Sequence, residues 1–107
     1  PVFLDAARAL ATLTLREGGA TDQQRFAYAF RRCTGRQPDA SDGRVILPFL
    51  EKQKQRLRDG WLSALDLAGL DDAAKSALPK GATPVDAAAW TAVSRVLLNL
   101  DETITKE

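Results

Sequence analysis

The sequence predicts an all-α fold: a small bundle of about four helices, with a long and partly packed connection between the third and the last. Two observations carry this. Apolar residues recur at steps of three and four in separate stretches, which puts each set on one face of a helix. Between those stretches stand residues that start or stop helices, among them Gly18-Gly19, Thr21, Gly35, Asp39 and Pro84. With 45% apolar and 27% charged residues in 107, the composition is that of one ordinary globular domain with a modest core, and it excludes a disordered or collagen-like chain.

The first helix is expected from about Val2 to Glu17, burying Phe3, Ala7, Leu10 and Thr14 with Leu4, Ala11 and Leu15 beside them. Gly18-Gly19 ends it. Thr21 starts the second helix, its hydroxyl capping a free N–H while Gln24 reaches back as the other half of a capping box. Phe26, Ala29, Phe30 and Cys33 form its buried stripe, and Gly35 suits the left-handed position after its last turn. In the turn GRQPDASD, Pro38 resists helix continuation and Asp39 caps the third helix with Asp42 at the third position. That helix should run to about Asp59, burying Ile46, Phe49, Leu50 and Leu57 and exposing Lys52, Lys54, Arg56 and Arg58. Pro48 lacks the N–H that would bond the Arg44 carbonyl, so either the helix kinks there, the favoured reading, or its regular part begins near Leu47.

From Gly60 to Pro84 the glycines and prolines stand too close for a long helix, although a short helical piece is plausible over Asp71 to Leu78. The apolar content around Trp61, Leu62, Leu65, Leu67 and Leu70 argues that the connection packs on the helices, since a flexible linker would be polar. Pro84 and Asp86 introduce the last helix. There Trp90, Val93, Leu97, Leu100 and Ile104 share a face marked for burial, the last wall of the core.

A net charge of +1 removes the global excess that would hold a polyanion, so nucleic acid is not an expected partner. No apolar run approaches the roughly 20 residues of a membrane span. The absence of histidine excludes Ser-His-Asp and Cys-His catalysis and His-containing metal sites, and one cysteine, Cys33, excludes an internal disulfide and a C-x-x-C-H haem attachment. No catalytic residue, cofactor or metal ligand is therefore assigned. The start at Pro1-Val2-Phe3, the lack of methionine and the immediate helical pattern read as a piece, the single helical domain 1–107, cut from a longer protein.

The candidates for contact with a partner are Asn99, Asp101, Glu102, Arg32, Arg36 and Trp61. Each has a plainer reading beside it. If the last helix ends at Asn99, that residue can close it in the left-handed conformation while Asp101 and Glu102 pin the tail; if it continues, Glu102 pairs with Lys106. Arg32 and Arg36, with Arg25 and Arg31, read as a solvated face opposite Phe26 and Phe30. Trp61, like Trp90, reads as core. Asp71-Asp72 reads as a helix cap, and Cys33 as a small apolar residue.

The stretch FAYAFRRCTGRQPDASD, followed by VILPFLEKQ, resembles the helix, Gly-Arg-x-Pro turn and helix of large planctomycete-type bacterial proteins. Those proteins often carry a cytochrome-c-like region near the N-terminus and uncharacterised domains behind it. The closing AAWTAVSRVLLNLDETITKE resembles the end of the last of those domains, and PVFLDAARALA the helix that opens it, so the resemblance spans nearly the whole chain. It implies a C-terminal, non-catalytic accessory or interaction domain of an exported, periplasmic or cell-surface protein. Its implied partners are other domains of the same parent chain, a surface protein or a glycan. An exposed apolar patch, expected near Trp61, would mark the docking face. The alternative is a carboxylate-based hydrolytic or cation-binding role, which needs Asp101, Glu102 and Asp71 or Asp72 to converge in one pocket.

Overall fold

The computed structural model describes residues 2–60, 68–69, 78 and 82–105, the side chains of 2–4 and 101–105 excepted. Helices α1 (Val2–Glu17), α2 (Asp22–Thr34), α3 (Ala40–Arg58) and α4 (Pro84–Thr105) form an all-α bundle, with no strand among the described residues. Three of the helices begin with the same device. Thr21 accepts from the Gln24 N–H at 3.1 Å while Gln24 accepts from the Thr21 N–H at 3.2 Å. Asp39 and Asp42 exchange the same two bonds at 2.8 and 2.9 Å, and Thr83 and Asp86 at 3.0 and 3.2 Å. Each box satisfies two of the N–H groups that a helix start leaves open, so the chain sets these starts locally. Pro84 occupies the first position of α4, where its missing N–H costs nothing.

The stops are equally local. Gly18 donates to the Thr14 carbonyl at 2.9 Å, and Gly35 closes α2 at φ 76° with its N–H on the Arg31 carbonyl. At Gly18 a methyl group would lie 2.5 Å from that Thr14 oxygen and 3.1 Å from the Arg25 Cα, so the close approach of α2 to the end of α1 requires glycine there.

α4 packs on all three other helices, most extensively on α1 and α3. Ala87, Ala88, Ala89, Trp90 and Thr91 are buried in succession, followed by Val93, Ser94 and Leu97. Five consecutive buried residues exceed one helical turn, so this half of α4 is enclosed on every side. It is the centre of the bundle, not its last wall, because three small alanines let the neighbouring helices approach. The stripe also ends earlier than its spacing suggests. Leu100 is 40% exposed, and Ile104 lies outside the described side chains.

The expected core positions Ala7, Leu10, Ala11, Thr14 and Leu15 of α1 are buried, as are Phe26, Ala29 and Phe30 of α2 and Ile46, Leu50 and Leu57 of α3. Phe26 and Phe30 meet edge to face at 5.6 Å between centroids, with Cys33 and Phe49 packed against the same core. In the connection, Ala68 is buried in that core and Leu78 packs on it. The helical piece expected over Asp71–Leu78 lies otherwise outside the described residues.

α3 is continuous from Ala40 through Pro48 to Arg58, so its regular part does not begin at Leu47. Lys54 departs from the expected solvent face. It is buried, its Nζ 2.6 Å from Asp22 Oδ2, with Glu51 at 3.8 Å and Asp86 at 4.0 Å. Its long stem covers apolar surface while its charge ties the start of α2 and the start of α4 to α3, which a reading of α3 by itself does not contain.

Candidate functional site

An open cleft lies between α2 and α3. Gln23, Ala27 and Arg31 recur every four residues along α2, flanking the buried Phe26. Across from them α3 presents Ala40, Gly43, Arg44, Leu47 and Pro48, which is the i, i+3, i+4, i+7, i+8 face of a helix. Gln37, Pro38 and Asp39 of the turn close one end. The result is an open groove of about 740 Å³, continued past Ala27 and Gln37 by a smaller hollow lined by Tyr28, Arg31 and Arg32.

Its lining is mostly apolar, its charged members are Arg44 and Asp39, and two further arginines, Arg31 and Arg32, stand in the adjoining hollow. Phe26, Ala27, Leu47 and Pro48 supply carbon, and the missing side chain of Gly43 widens the cleft: a Cβ there would stand 3.7 Å from Leu47 and 3.9 Å from Phe26. Pro48 is exposed at the edge of the groove, and Val45, three residues before it and outside the groove lining, is 69% exposed on the outer side of α3. Pro48 also has no N–H to give to the Arg44 carbonyl, which leaves that acceptor without its usual helical donor.

The groove is held open from its ends. At the turn, Arg36 lies over the Phe30 ring at 4.7 Å and reaches Asp42 at 3.3 Å, while Asp42 caps α3. At the other end Lys54 and Asp22 join α3 to α2. The acids nearby are engaged. Asp39 accepts from the Ser41 hydroxyl at 2.6 Å and from the Asp42 N–H at 2.9 Å, and these bonds, the Ser41 one foremost, lower its pKa from 3.8 to about 2. Burial, and then the bond that Tyr28 donates to Glu17 at 2.9 Å, push the Tyr28 phenol above its ordinary range.

Of the residues expected to face a partner, Arg32 lines the hollow and is exposed. Arg36 belongs to the clamp just described. Asn99 is exposed within α4 but does not line the groove, and because α4 runs on to Thr105, Asn99 does not close it in a left-handed conformation. Trp61, Asp71 and Asp72 lie outside the described residues, and so do the side chains of Asp101 and Glu102. Among the described residues no three Cys, Asp or Glu side chains gather as metal ligands, and no helix is long and apolar enough to cross a membrane.

Arg44, Leu47 and Pro48 were not anticipated as surface features. A signal for them exists in Val45 to Leu50, six apolar residues in a row. A helix with one buried face cannot turn all of them inward, so some must open outward. No protein-family model, curated protein or solved structure matches the chain.

Proposed function

We propose that this chain is a non-catalytic helical interaction domain that docks on another part of a larger protein, or on a surface partner, through the α2–α3 groove. The resemblance of its second and third helices and its closing segment to planctomycete-type proteins supports placing that larger protein among exported bacterial ones. The observation that carries the reading is the groove: a mostly apolar lining that reaches the exposed Pro48, with Val45 exposed one helical turn away and arginines that the fold leaves at the surface. Contiguous apolar surface of this kind marks contact sites more often than scattered exposed residues do.

The test is site-specific photo-crosslinking in cells producing the natural full-length protein, with a benzophenone side chain at Val45 or, as a control, at the exposed Arg56. Docking predicts an adduct from position 45 that maps to one segment, is absent from position 56, and is lost when Gly43→Gln fills the groove. Equal or no adducts from both positions would sink the reading.

A further inference from the structure

Resting on the reading of the groove as a docking site, we propose that its occupant is an acidic amphipathic helix. Its apolar side chains lie between α2 and α3, and its carboxylates face Arg31, Arg32 and Arg44. The apolar part follows from the floor. Phe26, Ala27, Leu47 and Pro48 offer carbon along a cleft between two helices, a shape that receives apolar anchors spaced three and four residues apart on a third helix. With a volume of about 740 Å³ and an open top, the cleft suits a row of side chains better than a single enclosed small molecule.

The acidic part follows from how charge is distributed. Three other arginines of the described fold are neutralised at home: Arg8 stands 3.7 Å from Asp5, Arg25 3.7 Å from Asp22 and Arg36 3.3 Å from Asp42, whereas Arg16, Arg56, Arg58 and Arg95 stand singly away from the groove. Among the described residues Arg31, Arg32 and Arg44 have no carboxylate within ion-pair distance, and the Arg44 Nε donates only to its own helix, at the Ala40 carbonyl, 3.3 Å away. The local acids have other partners, although Asp39, which caps α3, keeps its charge at one end of the groove: Asp42 serves the same cap, Asp22 holds Lys54, and Glu17 accepts from Tyr28.

Helix electrostatics account for two of these arginines but not the third. Arg31 and Arg32 stand in the last turn of α2, where a cation is favoured by the macrodipole. Arg44 stands in the second turn of α3, past the first turn in which the dipole disfavours a cation, and it lines the groove. A nucleic acid fits less well, because three guanidinium groups around an apolar floor, in a chain of net charge +1, offer little of the phosphate neutralisation on which such binding depends.

The experiment uses fluorescein-labelled helical peptides with one leucine pattern and Glu, Gln or Lys at the flanking positions, titrated with the whole chain and followed by anisotropy. The Glu peptide should bind about tenfold or more tighter than the Gln peptide, weaken with salt, and exceed the Lys peptide further still. Arg31→Glu with Arg44→Glu should invert the order. Gly43→Gln should abolish binding of every peptide with no loss of helical circular dichroism, since its Cβ fits the space at Gly43 and glycine is the weaker helix former.

Indifference to peptide charge, or an unchanged order in the double variant, overturns the proposal. So does a labelled single-stranded oligonucleotide that binds as tightly as the Glu peptide. A dimer that dissociates on Arg31→Glu with Arg44→Glu would seat a second copy in the groove and overturn it as well. If no peptide binds while the Val45 crosslink forms, the acidic helix is wrong and the docking groove stands. If both experiments fail, the groove itself is wrong.

Discussion

The N-terminal half of α4 and the facing surfaces of α2 and α3 are built from similar materials and reach opposite ends. Both combine small residues with a few large apolar ones: Ala87, Ala88 and Ala89 around Trp90 in α4, and Ala27 and Gly43 around Phe26 and Leu47 in the groove. Around α4 the neighbours converge, and Thr14 Oγ1, Trp90 Nε1 and Ser94 Oγ are buried with no hydrogen-bond partner among the described residues. Between α2 and α3 the helices are tied at their ends, by Arg36 with Asp42 and by Lys54 with Asp22, and the middle stays open. Small residues permit close approach, but whether a core or a groove results depends on what else is drawn in.

The largest test of this contrast is truncation at its dry end. Trp90→Ala should cost about 3–5 kcal/mol, the range for removing a fully buried large aromatic, whereas Leu47→Ala in the half-open groove should cost less, about 1–2 kcal/mol. Urea denaturation measures both, and equal losses would erase the distinction. Next comes the tie at the groove's far end. Lys54→Ala should destabilise by about 1–3 kcal/mol, below the cost of breaking a fully buried pair, because Asp22 is still partly solvated. A double-mutant cycle with Asp22→Asn should show coupling, and strict additivity would mean that the stem of Lys54 matters and its charge does not.

A smaller change should go the other way. Thr14→Val replaces a buried hydroxyl that has no partner among the described residues by a methyl group of similar shape, and is expected to raise stability by about 1 kcal/mol. Destabilisation would show that the hydroxyl is satisfied in solution. The smallest effect is pH-dependent. Asp39 titrates at about 2 in the fold against its ordinary 3.8, so the folded state takes up this proton later than the unfolded one. Its capping advantage is complete above pH 3.8 and is lost as the pH falls from there towards 2. Denaturation midpoints of the wild type and Asp39→Asn should converge over that window, and a constant gap would refute the depressed pKa.

Much of the fold can be read from residues in order along the chain. Thr21 with Gln24, Asp39 with Asp42, Gly35 and Pro84 act on backbone groups within four positions of themselves, so their effects survive without knowledge of the rest. The stripes of α1 and α2 are legible for a related reason: each of those helices buries one face. The same reasoning misjudges Lys54, because its partners lie 32 residues away on either side, at Asp22 and Asp86. It also extends the α4 stripe to Leu100, where the other helices no longer cover it. As for the groove, the sequence showed an arginine cluster on α2 and an unbroken apolar run on α3, but not that the two face each other.

By itself, then, the sequence determined an all-α chain, the capped starts and glycine stops of its helices though not the end of the last one, and which of their faces are apolar, because caps, glycine stops and helical periodicity are short-range physics. Only the tertiary structure decided that α4 is enclosed on every side, that Lys54 is buried, and that Arg31, Arg32 and Arg44 border one apolar cleft. Those facts depend on how closely helices far apart in sequence approach, which side-chain volume and burial across the whole molecule govern.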